Sequence, residues 1–249
     1  MNILVNGASG HMGQELLALL SAPDAEDTLV ACVDLRTEGL PAPAYENLAD
    51  VREKADVIID FSHHAATGTL LAYALRHGTP VVIATTGQTE DEIAAIKEAS
   101  KKIPVFFSAN MSLGVALLAA LVRLTVKTFP DADVEIVETH HHRKIDVPSG
   151  TALMLAKSVQ SVREDAEFVI GRHENGKRQK NEVGIHSLRL GNVVGVHEVH
   201  VSTGNETIVL RHEAHSRSLF ADGALVAARF LKKCPSGLYT LASLFRDGV

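Results

Sequence analysis

An α/β protein is expected, with a Rossmann-like, doubly wound parallel sheet followed by a second α+β domain built on a mixed sheet. Three observations predict it. Over the first hundred residues, apolar strand-like runs alternate with segments of helical period. A glycine-punctuated turn joins the first run to the first helix. Past residue 110 the alternation gives way to a long apolar helix and then to extended segments.

The strand-like runs lie at 2–6, 28–34, 56–61, 80–84 and 104–107, and the helical segments between them at 11–21, 65–76 and 89–100. Pro80 and Pro104 stand at strand starts, where a missing N–H is tolerated. A helix is expected from about 113 to 128, then a strand, DVEIVETH, and a second helix, ALMLAKSVQ. Residues 182–212 read as extended, with Gly204-Asn205 suited to a tight hairpin between VVGVHEVHVST and ETIVLRH. Ahead of them, 171–181 is a polar, glycine-containing stretch expected to be a mobile loop, and 217–245 returns to helical period. The domains read as 1–111 for dinucleotide binding, completed by C-terminal helices at 217–249, with 112–216 forming a substrate-binding and oligomerisation domain.

Bulk properties narrow the function. The 249 residues are 46% hydrophobic and 22% charged, with a net charge of -6, which disfavours nucleic acid as a partner. Cys32 and Cys234 have no CxxC spacing, so neither a disulfide framework nor a cysteine metal site is suggested. NILVNG carries no basic n-region or cleavage site, so a secretory leader is not expected, and the apolar run LGVALLAALV at 113–122 is too short to span a bilayer. A cytoplasmic protein with no membrane partner is expected.

Gly7, Gly10 and Gly13 sit three apart between a strand and an amphipathic helix. Glycines there permit a tight turn and let backbone N–H groups approach a pyrophosphate at the helix N-terminus. The spacing is GxxGxxG rather than the commoner GxGxxG, and a plain glycine-rich packing turn is the lesser alternative for the loop alone. Asp34, about twenty residues on at the end of the second strand, tips the balance toward a dinucleotide, because an acid there accepts from the adenosine ribose hydroxyls. It repels a 2′-phosphate, while Arg36 nearby offsets it; NAD(H) is favoured and NADP(H) is left open. DFSHH at 60–64, ATTG at 84–87 and SANMS at 108–112 fall after strand C-termini, where such a sheet places its ligand crevice. Each taken singly is also an ordinary helix-capping loop.

Residues 138–152, ETHHHRKIDVPSGTA, concentrate titratable groups. Neighbouring strand residues point to opposite faces, so His140, His141 and His142 cannot chelate one ion, and no metal is expected. A basic surface is also a poor reading, since Glu138 and Asp146 flank Arg143 and Lys144. Histidine suits proton transfer near neutrality, and a lysine ammonium can stabilise developing negative charge. Pro148-Ser149-Gly150-Thr151 opens the next helix and offers an anion seat, although Ser149 and Thr151 could equally be plain N-caps. Acid, ammonium and anion seat in a dinucleotide-binding chain describe a reductase of a carboxylated substrate.

These motifs together resemble the 4-hydroxy-tetrahydrodipicolinate reductase (dihydrodipicolinate reductase) family over essentially the whole chain. The resemblance rests on GASGHMG at 7–13, DFS at 60–62, TTG at 85–87, ANMS at 109–112 and, most specifically, E-x-H-H-x-x-K-x-D-x-P-S-G-T-A at 138–152. RLGNVVGVHEV and FADGALVAARF extend it toward the C-terminus. It implies NAD(P)H-dependent reduction of a cyclic imine dicarboxylate in lysine and diaminopimelate biosynthesis by a cytoplasmic homotetramer. It implies that His140 is the acid/base and Lys144 the second proton donor, with His141, Ser149, Gly150 and Thr151 holding substrate. Gly7, Ala8, Ser9, Gly10, His11, Met12, Asp34, Ala84, Thr85, Thr86, Ser108, Ala109, Asn110 and Met111 would contact cofactor, and His142 would be an exposed bystander. The chain departs from the commoner pattern at His11, Leu35, Ala84 and Met111, which bears on NADH against NADPH. An aspartate-dehydrogenase-like enzyme and a non-catalytic NADH-binding redox sensor are the competing classes.

Overall fold

The structure is a computed structural model and describes residues 1–245. It divides into two compact units, one comprising residues 1–112 and 217–245, the other residues 113–216. Residues 246–249, at the end of the expected C-terminal helices, lie outside the described residues.

In the first unit, strands β1 (Asn2–Asn6), β2 (Thr28–Val33), β3 (Ala44–Tyr45), β4 (Val57–Asp60), β5 (Val81–Ile83) and β6 (Pro104–Phe107) alternate with helices α1 (His11–Leu20), α2 (Thr67–His77) and α3 (Glu90–Ser100). All pairings are parallel. The central strands are unbroken apolar runs because helices cover both faces: Ile3, Leu4, Val5, Val57, Ile58, Ile59, Val81, Val82 and Ile83 are all fully buried. Local signals set the helix ends. Thr89 and Glu92 form a reciprocal capping box at the start of α3, and Gly78 ends α2 with a φ of 63°, a left-handed conformation that glycine adopts without strain.

The second unit starts with helix α4 (Leu113–Thr128), continues through β7 (Asp133–His140), α5 (Gly150–Gln160), β8 (Glu167–Ile170) and β9 (Glu182–Arg189), and ends with β10 (Gly195–Ser202) and β11 (Thr207–Ala214). Its sheet runs β11-β10-β7-β9-β8, with antiparallel pairs at β11–β10 and β10–β7 and parallel pairs at β7–β9 and β9–β8. It is therefore mixed, as expected. Alternation along β7 buries Val134 and Ile136 against Leu118, Val122 and Val126 of α4 and Leu155 and Val159 of α5. The expected hairpin joins β10 to β11, with Gly204 at φ 91°. The loop at 171–181 is anchored by Arg178, which pairs with Asp133 at 2.8 Å and Glu135 at 3.3 Å.

The chain then returns to the first unit as helix α6 (Ser218–Leu231) and strand β12 (Gly237–Tyr239). Here the expectation of continuous helix to residue 245 is corrected. Pro235 and Gly237 follow the last turn, and residues 237–239 pair with β6, completing the order β12-β6-β5-β4-β1-β2-β3. The short β3 and β8 were likewise not expected.

Candidate active site

In the first unit the candidate cofactor residues gather at the C-terminal ends of the parallel strands. Gly7 leaves β1 with φ 81°, and a Cβ on it would lie 2.5 Å from the backbone of Phe61 and Ser62. A Cβ on Gly13 would lie 2.2 Å from the Gly7 carbonyl oxygen. Only glycine lets loop and helix close this tightly. Gly10 caps α1 without any side-chain hydrogen bond, so the first-turn N–H groups at His11, Met12 and Gly13 point out of the helix with no intrahelical acceptor. His11 is exposed, Met12 half-buried and Ala8 buried. This cradle fits a pyrophosphate.

Asp34 follows β2. Its Oδ2 accepts from Ser9 N at 2.9 Å and its Oδ1 from Arg36 N at 3.2 Å. Partial burial works to raise its pKa, but hydrogen bonds from Ser9 and the Arg36 N–H, together with the Arg36 charge, bring it below the ordinary carboxylate value. It is an anion with lone pairs to spare where ribose hydroxyls are expected. Leu35 is 85% exposed and offers no charge.

The first residue of the DFS run, which was given no role of its own, ties this region together. Asp60, ending β4, is 2% exposed and accepts from Asn6 Nδ2 at 2.7 Å, Ser62 Oγ at 2.6 Å and Thr85 Oγ1 at 2.7 Å. One buried carboxylate thus pins the segments that follow β1, β4 and β5; burial pushes its pKa up against those donors. Ala84 N donates to Asp60 O at 3.0 Å, which leaves Thr86 exposed beyond it. After β6, Ser108 Oγ donates to Asn110 O at 2.6 Å and Asn110 Oδ1 accepts from Ser112 N at 2.8 Å. Ala109 is exposed, whereas Met111 is only 2% exposed.

In the second unit the motif at 138–152 divides by position. Glu138 and His140 are two apart on β7 and so share the face turned toward the helices. Glu138 is fully buried, and its Oε2 lies 2.5 Å from His140 Nδ1. Arg189, at the end of β9, grips both carboxylate oxygens at 3.0 Å, and Ser149 N donates to Oε1 at 3.2 Å. Burial alone would raise the Glu138 pKa, but the hydrogen bonds from His140 and Arg189 outweigh it and bring the value to about 2. An ionised carboxylate only accepts, so His140 Nδ1 carries a proton and Nε2 is the nitrogen left to exchange one. A Cβ on Gly195 would lie 3.1 Å from that Nε2; the glycine keeps it approachable.

Ser149 caps α5, its Oγ accepting from Ala152 N at 3.2 Å and lying 3.1 Å from His197 Nε2. Gly150 is exposed and Thr151 half-buried at the same helix start, with the Val147–Pro148 peptide cis just before it. His141 is half-buried past the strand end. Lys144 Nζ pairs with Asp146 Oδ1 at 2.7 Å. His142 is exposed but is more than a bystander. Its Nδ1 lies 2.8 Å from Gly191 O, while Arg143 donates to Asn192 Oδ1 at 2.9 Å, so the two hold the 190–192 turn. Glu138, Arg189 and His197 belong to this site and were not proposed as functional from sequence. Glu138 left a signal there in its two-residue offset from His140 on a strand, and Arg189 and His197 lie within RLGNVVGVHEV, which marked the resemblance without a role for either.

Family comparisons match both halves of the chain. A model described as dihydrodipicolinate reductase, N-terminus, covers residues 1–111, and one described as dihydrodipicolinate reductase, C-terminus, covers 114–245. The chain belongs to the dihydrodipicolinate reductase family. Among its relatives, the 4-hydroxy-tetrahydrodipicolinate reductase of Caldanaerobacter subterraneus subsp. tengcongensis is 45% identical over all of this chain and 99% of that protein. The enzyme of the same name from Clostridium tetani is 40% identical over 97% of this chain and 95% of that protein. A dipicolinate-bound dihydrodipicolinate reductase from Paenisporosarcina sp. TG-14 shares the fold, with a TM-score of 0.81 at 23% identity over 96% of this chain and 97% of the other. As in any dihydrodipicolinate reductase, a nicotinamide cofactor is required, and the uncapped α1 N-terminus with its glycine cradle fits one. Among the described residues no helix is long and apolar enough to cross a membrane.

Proposed function

We propose that this chain reduces 4-hydroxy-tetrahydrodipicolinate to tetrahydrodipicolinate, with release of water, in lysine and diaminopimelate biosynthesis. The observation that carries this reading is the buried Glu138–His140 pair beside the Ser149-Gly150-Thr151 helix start, in a chain of this family throughout its length. When bound, the reduced nicotinamide supplies the hydride. His140, held at Nδ1 by Glu138, exchanges the proton at Nε2. Ser149, Gly150 and Thr151 seat a substrate carboxylate on the first-turn N–H groups of α5, and His141 adds a further contact. Lys144 is the second donor and acts by sharing its ammonium between Asp146 and the substrate.

The dinucleotide is held by Gly7, Ser9, Gly10, His11 and Met12 at the α1 start, by Asp34, and by the segments at 84–86 and 108–111, with Ala8 and Met111 contributing from buried positions. NAD(H) is the preferred form. An ionised Asp34 accepts ribose hydroxyls and repels a 2′-phosphate, and its hydrogen bond from Arg36 comes from the backbone N–H. The protein works in the cytoplasm as a homotetramer.

The deciding experiment compares kcat/KM for NADH and NADPH on freshly generated 4-hydroxy-tetrahydrodipicolinate. Turnover with NADH preferred is expected, and Asp34→Ala should weaken NADH more than NADPH. Oxidation of NADH with oxaloacetate and ammonia but not with the cyclic substrate would instead establish an aspartate-dehydrogenase-like enzyme. Nucleotide binding without turnover would establish a sensor.

A further inference from the structure

The second unit buries one ring that neither the acid nor the anion seat accounts for. His197 lies on β10 opposite Glu138 of β7 and is 4% exposed. Its ring stands edge-on to His140, with centroids 5.1 Å apart. Its Nε2 is 3.1 Å from Ser149 Oγ, while its Nδ1 is buried with no hydrogen-bond partner among the described residues. The titratable groups around it are Glu138, His140 and Lys144 on one side and His212, its partner on β11, on the other. Burial, followed by the nearby His140 charge, pushes its pKa down to about 3, so the ring is neutral wherever the enzyme works.

A neutral imidazole has a single N–H to place. On Nδ1 that proton would be a buried donor with nothing to accept it, the kind of orphan folded proteins rarely tolerate. On Nε2 it is satisfied by Ser149 Oγ, and only a lone pair stays unmatched. Nε2 is therefore the donor. Ser149 Oγ also accepts from Ala152 N at 3.2 Å. A hydroxyl has two acceptor lone pairs and one proton, so with both lone pairs engaged the proton is what Ser149 has left to offer.

We propose that His197 is a positioning residue: by donating to Ser149 it fixes that hydroxyl as a hydrogen-bond donor to a substrate carboxylate at the start of α5. The proposal rests on the reading of this helix start as the seat of a cyclic dicarboxylate. A serine with a free lone pair could turn that lone pair toward the ligand, which a carboxylate would repel. His197 removes the choice, and does so without adding a charge that would compete for the anion.

The test compares wild type with His197→Leu, His197→Gln, Ser149→Ala and the double variant His197→Leu/Ser149→Ala. The readouts are kcat and KM for the cyclic substrate and dissociation constants for dipicolinate and NADH. His197→Leu is expected to raise both KM and the dipicolinate dissociation constant by about tenfold, the scale of one hydrogen bond to a charged group. NADH affinity should hold, and His197→Gln, which keeps a donor, should recover most of the loss. In the Ser149→Ala background, His197→Leu should add almost nothing, because its route to the substrate is gone. Unchanged constants in His197→Leu, or the full tenfold loss persisting without the serine hydroxyl, would overturn the proposal. Should His197→Leu not fold, the proton is read directly from histidine ¹⁵N spectra of the wild type, with His197 assigned through His197→Gln. Protonation at Nε2 is expected; protonation at Nδ1 refutes the role. A wild type that neither turns over the cyclic substrate nor binds dipicolinate would sink the functional reading, and the ring spectrum would still decide whether His197 donates to Ser149.

Discussion

Glu138 is the side chain on which the polar part of the second unit depends, since one buried carboxylate meets the proton donor, the Arg189 guanidinium and the backbone N–H of Ser149, the residue that caps α5. Removing one partner of a buried ion pair leaves the other uncompensated, at a cost of roughly 3–5 kcal/mol, so Glu138→Ala is a poor probe of chemistry. Glu138→Gln keeps the shape and loses the charge that sets the His140 tautomer. We expect His140→Ala and Lys144→Ala each to lower kcat about 100-fold or more, and Glu138→Gln to lower it about tenfold or more through His140 with NADH affinity retained. Steady-state kinetics and NADH titration check this; near-normal turnover in His140→Ala/Lys144→Ala would refute the assigned roles. At this scale the sequence was legible where chemistry is local, as in the compact run from Glu138 to Thr151. It gave no role to Arg189 and His197, which lie in the quoted run RLGNVVGVHEV but reach the same cluster from 51 and 48 residues away through strand register. Register is set by the folded sheet and has no local signature.

Elements were legible where an apolar run or a helical period marks them. The helices and the strands announced by apolar runs, β4, β5 and β6 among them, fall within a few residues of their expected places, while the short β3, β8 and β12 were not expected. The stop of α6 at Leu231 is in fact written in the sequence, where Lys232 and Lys233 are followed by Pro235 and Gly237. Gly223 shows how an element's placement constrains one residue. A Cβ there would lie 1.8 Å from the Met111 carbonyl oxygen, so α6 approaches the segment after β6 through a gap only glycine leaves. Gly223→Ala should therefore destabilise the protein by roughly 1–3 kcal/mol and weaken NADH binding by displacing Asn110 and Met111. Gly68, inside α2, is the control, because a Cβ there would meet nothing within 4 Å. Gly68→Ala should be neutral or stabilising by up to ~1 kcal/mol. Thermal melts and NADH titrations of the two variants test the contrast, and equal effects would contradict it.

For the whole molecule, the buried groups set how stability responds to acid. His197 titrates at about 3 when folded, against an ordinary 6.5, so between those values the unfolded chain binds a proton that the native state does not. Stability from this group is complete above pH 6.5 and falls as pH drops toward 3. Glu138, held at about 2 against 4.5, acts in the same direction lower down: its contribution is present above pH 4.5 and lost as pH falls toward 2. Urea unfolding should therefore show stability declining below pH 6.5, by up to ~1.4 kcal/mol per pH unit for one such group, and more steeply below 4.5. His197→Gln should flatten the upper window, and a wild-type stability constant from pH 7 to 5 would contradict the assignment. The ends of the two sheets carry a different consequence. A free strand edge is a template on which another chain can pair, and long flat edges seed aggregation. The first sheet closes on strands of two and three residues, too short to serve. The second ends on the eight-residue β11, where Arg211 bridges Glu198 and Glu213 along the exposed side. Charge beside the one long edge among the described residues disfavours indiscriminate strand addition there.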